Sequence, residues 1–188
     1  MFFIVRIFQV PVFIIFLLLA GCTSPLDYDD DDVAALVNGK EITIGELRFL
    51  YADDAVIESM DWAIMVELAK QEVKNMNLDP AGNMMAEAQQ AQLMSLPPKS
   101  TENETEKSIR EFAESQADKL KLNPEEYHQM YTEKINEQNA YIVTYLEEML
   151  GEPKDDSVEE MRKYNKNADN LLDELVKENE EAIEIFIE

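Results

Sequence analysis

The chain has 188 residues, and 16 Lys and Arg stand against 40 Asp and Glu, so its formal net charge is −24. This charge argues against nucleic acid as a partner, because phosphate contacts need clustered Lys and Arg. One Cys and one His exclude an internal disulfide framework and the zinc sites that need several of these ligands. Few Gly, many helix-forming residues and a hydrophobic content of 46% predict a folded, mainly helical protein.

Residues 1–21 are predicted to be a lipoprotein signal peptide. The segment from Phe2 to Ala20 is almost wholly apolar and ends at small residues, as secretory signals do. Leu19-Ala20-Gly21-Cys22 resembles the bacterial lipobox. The resemblance implies that the Cys22 thiol receives a diacylglyceryl group and becomes the mature N-terminus. An uncleaved anchor is the alternative, since the apolar run approaches the roughly 17–25 residues that span a bilayer.

Residues 22–33 are predicted to form an acidic, solvated tether. Removal of Arg6 with the signal leaves 15 basic and 40 acidic residues, a net charge of 15 − 40 = −25. Such a chain is repelled by an anionic leaflet, so the lipid on Cys22 has to supply the membrane attachment. The expected location is the extracytoplasmic face of a Gram-positive cell membrane, with a Gram-negative outer membrane as the alternative.

The acidic run from Asp27 to Asp32 does not fit a calcium-binding EF-hand, because Asp32 stands where that loop needs Gly. No metal site and no cofactor are predicted.

The domain is predicted to occupy residues 34–188 and to begin with a short β-hairpin. Asn38-Gly39 lies between two short extended segments within Ala34 to Ile42, and this dipeptide is typical of a two-residue hairpin turn. Thr43 and Glu46 have the spacing of a capping box, which predicts a helix starting at once. The apolar face of that helix is expected to extend to Val56 or Ile57.

Apolar residues at three-to-four spacing predict the next helices. They cover about residues 59–76, 80–93 and 109–120, with a loop at 95–106. Asn123 followed by Pro124 predicts the start of a long helix, since Asn caps a helix and Pro suits its first turn. This helix is expected to run to Leu150 and to stop at Gly151.

A long C-terminal helix is predicted over residues 157–188, beginning with a capping box at Ser157. Val158, Leu172 and Phe186 belong to one heptad series, and Met161 and Leu175 to a second series three residues later. Two interpretations stay open. The wide apolar face favours a helix that packs back on its own domain, whereas the heptads fit a homodimer through this helix.

No enzyme is predicted. His128 is the single imidazole, and a lone His on a helix flank is expected to be a surface residue. Cys22 is reserved for the lipid, so no Cys/His pair remains.

The residues from Ala34 to Leu50 resemble the start of the SurA N-terminal chaperone domain, which also occurs in PrsA-type foldase lipoproteins. The shared pattern is a short strand, Val37-Asn38-Gly39, a charged pair, Ile42-Thr43 and a capped helix. Weaker similarity follows at residues 65–73 and at Leu122 to Tyr127. The resemblance implies a multi-helix chaperone fold over residues 34–150. The prolyl isomerase domain of that family is expected to have no counterpart, since only 38 residues follow Leu150 and one of them is Gly.

The resemblance implies a membrane-anchored chaperone that holds unfolded secreted proteins without ATP. The alternative is a helical adaptor lipoprotein that binds one dedicated envelope partner. Met and aromatic side chains suit varied apolar partners, although each of them fits a core position equally well. The client-binding candidates are Trp62, Met84, Met85, Met94, Phe112, Tyr127, Met130, Tyr131 and Tyr145.

Overall fold

A computed structural model describes residues 27–86, 90–91 and 93–187, so the predicted signal peptide and Cys22 lie outside the described residues. Most described residues are helical, and the strands form one antiparallel sheet with the order β2-β1-β3. This confirms the mainly α class, the N-terminal hairpin and the long C-terminal helix. The elements are β1 (Val33–Val37), β2 (Lys40–Thr43), α1 (Ile44–Leu50), α2 (Met60–Asn75), α3 (Glu104–Leu120), α4 (Pro124–Leu150), α5 (Val158–Glu178) and β3 (Ile183–Ile185).

The predicted hairpin and capping box are both present. Asn38 and Gly39 have φ values of 50° and 76°, the left-handed conformations that a type I′ turn requires. The Thr43 hydroxyl accepts from the Glu46 N–H at 3.2 Å, and the Thr43 N–H donates to the Glu46 carboxylate at 3.1 Å. α1 nevertheless ends at Leu50, because Tyr51 is extended, so the expected continuation to Val56 or Ile57 is wrong.

The acidic segment before β1 folds onto α1. The main-chain oxygens of Asp30 and Asp32 accept from the N–H groups of Gly45 and Ile44, both at 2.9 Å. Arg48 adds an ion pair to Asp30 at 2.8 Å. The first N–H groups of a helix have no partner within it, and this acidic turn supplies their acceptors. Residues 27–32 therefore form an ordered turn against α1 and not a free tether, although all of them except Tyr28 are solvent-exposed as predicted. β1 already begins at Val33.

The helix predicted over residues 80–93 forms only towards its end, where residues 90, 91 and 93 are helical. Asp79 caps a short 3-10 turn, Pro80–Asn83, and the chain becomes extended at Met84. By contrast, α2 closely matches the predicted helix. α3 starts five residues before the predicted Ile109, because the Asn103 side chain accepts from two main-chain N–H groups of its first turn.

α4 has the predicted boundaries. Asn123 caps it, Pro124 is its first residue and Gly151 follows it with a φ of 75°. At 27 residues it is the longest element of the described chain, and it contributes to both apolar clusters. The larger cluster joins the sheet to α2, α4 and α5. The smaller one lies where α1, α3 and α4 meet, around Tyr127 and Ala117.

The predicted C-terminal helix over residues 157–188 is too long. α5 ends at Glu178, and β3 pairs antiparallel with β1 in the register Ala35↔Ile185 and Val37↔Ile183. The physical reason is the alternating segment Ile183 to Ile187, whose β-branched residues favour a strand beside β1. Asn179, at the end of α5, accepts from the Asn38 amide at 3.1 Å and so ties this end to the hairpin turn.

α5 packs back on its own domain. Ala168, Leu172 and Leu175 of the heptad series are buried in the larger cluster, whereas Val158 is 75% exposed. A coiled coil over the whole helix would have to unpack this core. Within the described residues, no helix combines the length and apolarity needed to cross a bilayer.

Candidate client-binding cleft

An open apolar cleft lies between the segment that precedes α3 and the facing sides of α3 and α4. Its volume is about 560 Å³. Most of its surface is contributed by aliphatic side chains, with a few polar groups among them. The lining residues are Met85, Leu93, Ser95, Leu96, Pro97, Pro98, Glu106, Ile109, His128, Tyr131, Thr132, Ile135 and Asn136.

A cluster of aromatic rings supports the inner end of this cleft. Tyr131 lines the cleft, and its ring centroid lies 5.5 Å from that of Phe112 and 5.8 Å from that of Tyr127. The Tyr127 hydroxyl donates to the main-chain oxygen of Phe49 at 2.8 Å. Burial raises the pKa of both tyrosines. Their hydroxyls therefore remain protonated at neutral pH, and the wall of the cleft carries no charge here.

Asn136 provides a polar group inside the cleft. Its Oδ1 accepts from the Met85 N–H at 3.0 Å, which fixes the orientation of the amide because only the oxygen can accept. Its Nδ2 is buried and has no hydrogen-bond partner among the described residues, and the whole residue is 1% exposed. A buried donor without an acceptor is costly.

His128 is part of the cleft wall and not the surface residue that was predicted. It is buried, and its Nε2 lies 2.9 Å from the main-chain oxygen of Leu93. A carbonyl oxygen can only accept, so Nε2 carries the hydrogen and the ring tethers the 93–98 segment to α4. Among the described residues, no cluster of His, Cys, Asp and Glu is arranged to hold a metal ion.

The structure brings only part of the predicted client-binding set together. Met85 and Tyr131 line the cleft, and Phe112 packs behind it. Tyr127 and Tyr145 are buried. The prediction that these two tyrosines contact clients is wrong, because each sits inside an apolar cluster.

The other candidates lie outside the lining of the cleft. Met94 is partly buried, and Trp62 is exposed on α2. Met84 and Met130 are also exposed. These four residues are therefore not part of the apolar cleft.

Sequence reasoning missed several residues that form the cleft. These residues are aliphatic and carry no motif that indicates a site: Leu93, Leu96, Ile109 and Ile135. The signal that could have located the cleft is Pro97-Pro98, which follows several apolar residues. A helix cannot continue through two successive prolines. Such a segment has to cross the neighbouring helices in an extended form.

No family model, curated protein or solved structure matches this chain. The SurA-like resemblance therefore stays a prediction that rests on residues 34–50 and the two weaker motifs.

Proposed function

We propose that this protein is an extracytoplasmic, membrane-anchored chaperone that holds unfolded secreted proteins without ATP and without catalysis. The observation that carries the proposal is the open apolar cleft beside α3 and α4. Leu93 and Ile109 line it and remain substantially exposed. Burying such side chains against a partner is favourable by about 25 cal/mol per Å² of apolar surface.

The apolar lining of the cleft suits a partner of any sequence. Its aliphatic side chains make non-directional contacts. Such contacts give weak binding with little sequence preference. This is the behaviour expected of a holding chaperone.

Charge favours basic clients. The chain carries a net charge of −24, and Glu106 lines the cleft, where it also accepts from the Thr101 hydroxyl. Charges of this kind mainly accelerate the association of oppositely charged partners, and salt screens the effect. Binding of basic clients should therefore slow as salt rises, whereas binding of neutral clients should not.

The adaptor function is the second candidate, and the exposed start of α5 favours it. Val158 is the most exposed of the large apolar residues in the described chain, and Met161, one turn later, is only partly buried. One dedicated partner could cover this end. A tight, stoichiometric complex would support the adaptor, and broad weak binding would support the chaperone.

The test uses the full chain in phospholipid nanodiscs, with empty nanodiscs as the blank. Light scattering follows the aggregation of several denatured clients, basic and neutral, at low and high salt. Ile109→Ser is the cleft variant. Val143→Ser is its matched control, because the two side chains are 39% and 38% exposed and Val143 does not line the cleft.

Suppression by the wild type, lost in Ile109→Ser and kept in Val143→Ser, would support the proposal. Equal loss in both variants would show that the cleft is not the binding site. No suppression of any client, together with one tight partner crosslinked in cells, would favour the adaptor.

A further inference from the structure

The outer edge of β3 is a second surface, separate from the apolar cleft. β3 lies at one side of the sheet and is paired with β1 on its inner side. Among the described residues, no strand pairs with its other side. A strand edge of this kind presents main-chain donors and acceptors to an incoming chain.

The register shows which main-chain groups face outward. In an antiparallel pair, residues alternate between those bonded to the neighbouring strand and those whose main-chain groups point away from it. Phe186 is bonded to β1, since its N–H donates to the Ala34 oxygen at 2.9 Å. Ile185 and Ile183 therefore direct their main-chain groups to the open edge. The Ile183 N–H donates to the Glu180 oxygen in the preceding turn. The groups available to an added strand at the open edge are therefore the N–H and oxygen of Ile185 and the oxygen of Ile183.

An apolar groove runs along this edge on the inner face of the sheet. Its volume is about 540 Å³, and Ile64, Val176, Ile183 and Ile185 line it. Ile185 is 52% exposed, although its cross-strand neighbour Ala35 is fully buried. At β3 the sheet thus extends past the helices that pack on the rest of it. Side chains of an added strand would enter the groove beside Ile185.

The charges around the edge specify the partner. Asp61, Asp173, Glu180 and Lys177 also line the groove, and their two net negative charges disfavour acidic side chains in a segment bound there. On the opposite face of β3 stands Glu184, which is exposed. Opposite charges on neighbouring strands stabilise pairing, and like charges oppose it.

We propose that the β3 edge binds an extended segment of another protein in which apolar residues alternate with Lys or Arg. The apolar side chains enter the groove beside Ile185, and the basic ones lie on the opposite face beside Glu184. The main chain of the segment pairs with Ile185, which is the β-augmentation mode of peptide recognition. A second copy of this chain is disfavoured as the occupant, because both copies carry a net charge of −24. The proposal does not depend on the chaperone function.

The first arm of the test measures peptide binding to the full chain in nanodiscs by fluorescence anisotropy. The probe is a short labelled peptide of alternating Val and Lys. Two matched peptides replace Lys by Glu, or carry N-methyl groups on the main-chain nitrogens of one edge. We expect saturable binding of the Val/Lys peptide. Both matched peptides should bind about tenfold more weakly, since each loses favourable charge pairing or one or two hydrogen bonds.

The second arm uses a matched pair of variants. Ile185→Pro removes the outward N–H, whereas Ile185→Ala keeps it, and both lose the same apolar side chain. Neither variant touches the N–H of Phe186. Binding should be lost in the Pro variant and only weakened in the Ala variant, with circular dichroism confirming that both are folded. If the Pro variant fails to fold, the N-methylated peptide still tests the wild type.

Three results with the wild-type chain would overturn the proposal. They are no binding of the Val/Lys peptide, equal binding of the N-methylated peptide, or self-association through this edge in sedimentation velocity. The Ile109→Ser variant should bind the peptide normally. A loss of binding there would place the peptide in the apolar cleft and would also overturn the assignment to β3.

Discussion

The hydroxyl of Tyr127 donates a hydrogen bond to the main-chain oxygen of Phe49, 78 residues earlier in the chain. The bond joins the first turn of α4 to the end of α1. The two rings also pack against each other, with centroids 5.3 Å apart. One buried side chain therefore connects the hairpin end of the fold to the wall of the apolar cleft.

Replacing Tyr127 by Phe should lower the free energy of unfolding by about 1–3 kcal/mol. The ring keeps its packing, but the partly buried Phe49 oxygen loses its donor. Urea denaturation followed by circular dichroism measures the change. Tyr131→Phe is the control, because its hydroxyl has no bonded partner among the described residues, and we expect it to change stability by less than about 0.5 kcal/mol. Equal effects of the two substitutions would contradict the role assigned to the bond.

Stability should fall at alkaline pH. Burial raises the pKa of Tyr51, Tyr127 and Tyr131 above the ordinary value of 10.0. A raised pKa in the folded state means that folding favours the protonated form, so this contribution is complete below pH 10 and is lost as the pH rises further. The urea midpoint should therefore drop above about pH 10. The drop should be smaller in Tyr127→Phe, and an identical pH profile for that variant would refute this account.

The close approach of the acidic turn to α1 depends on Gly45. A Cβ added at this position would lie 3.0 Å from the main-chain oxygen of Asp30 and 3.1 Å from its Cβ. Gly45→Ala should therefore displace residues 29–32, lower the melting temperature and speed hydrogen exchange in that turn. Gly82→Ala is the matched control, because nothing lies within 4 Å of its added Cβ. Unchanged exchange in Gly45→Ala would show that the turn does not need this contact.

The buried part of α5 should be essential to stability. Leu172 lies in the larger apolar cluster, so Leu172→Ala is expected to cost about 2–5 kcal/mol through lost burial and a cavity. Val158→Ala, on the same helix but at an exposed position, should change stability by less than about 0.5 kcal/mol. Thermal and urea denaturation at low protein concentration measure both. A small effect of Leu172→Ala would mean that α5 does not complete the core.

Cys22 is predicted to carry the lipid, and this residue lies outside the described part of the chain. Cys22→Ser should abolish incorporation of an alkyne-tagged palmitate in cells and should block cleavage at this site. Ser24→Ala, two residues further on, should leave both unchanged. Normal processing and labelling of Cys22→Ser would disprove the lipoprotein prediction.

Helix starts could be predicted from the sequence because their signals are local. Thr43 and Glu46 cap each other across three residues, and Asn123 accepts from two N–H groups in the next turn. Ser157 likewise accepts from the Glu160 N–H. Such bonds depend on a few neighbouring side chains, whatever the rest of the chain does.

The candidate cleft could be predicted only in part. Choosing Met and aromatic residues as candidates correctly included Met85, Phe112 and Tyr131. The same criterion also selected Tyr145, which is buried. An aromatic residue on an amphipathic helix satisfies the same pattern in a core or in an open cleft. Asn136 gave no signal at all, since its unpaired amide exists only because Met85 takes its oxygen.

The sequence by itself determined the helical class, the hairpin turn and the caps, because composition and hydrogen bonds over a few residues decide these features. Only the tertiary structure decided the conformation of residues 183–187. Their heptad spacing suited a helix, but Phe186 bonds Ala34 and Ile187 is buried in the core. Pairing with a strand some 150 residues away, together with that burial, outweighs the local preference. The same long-range packing leaves the outer edge of β3 open.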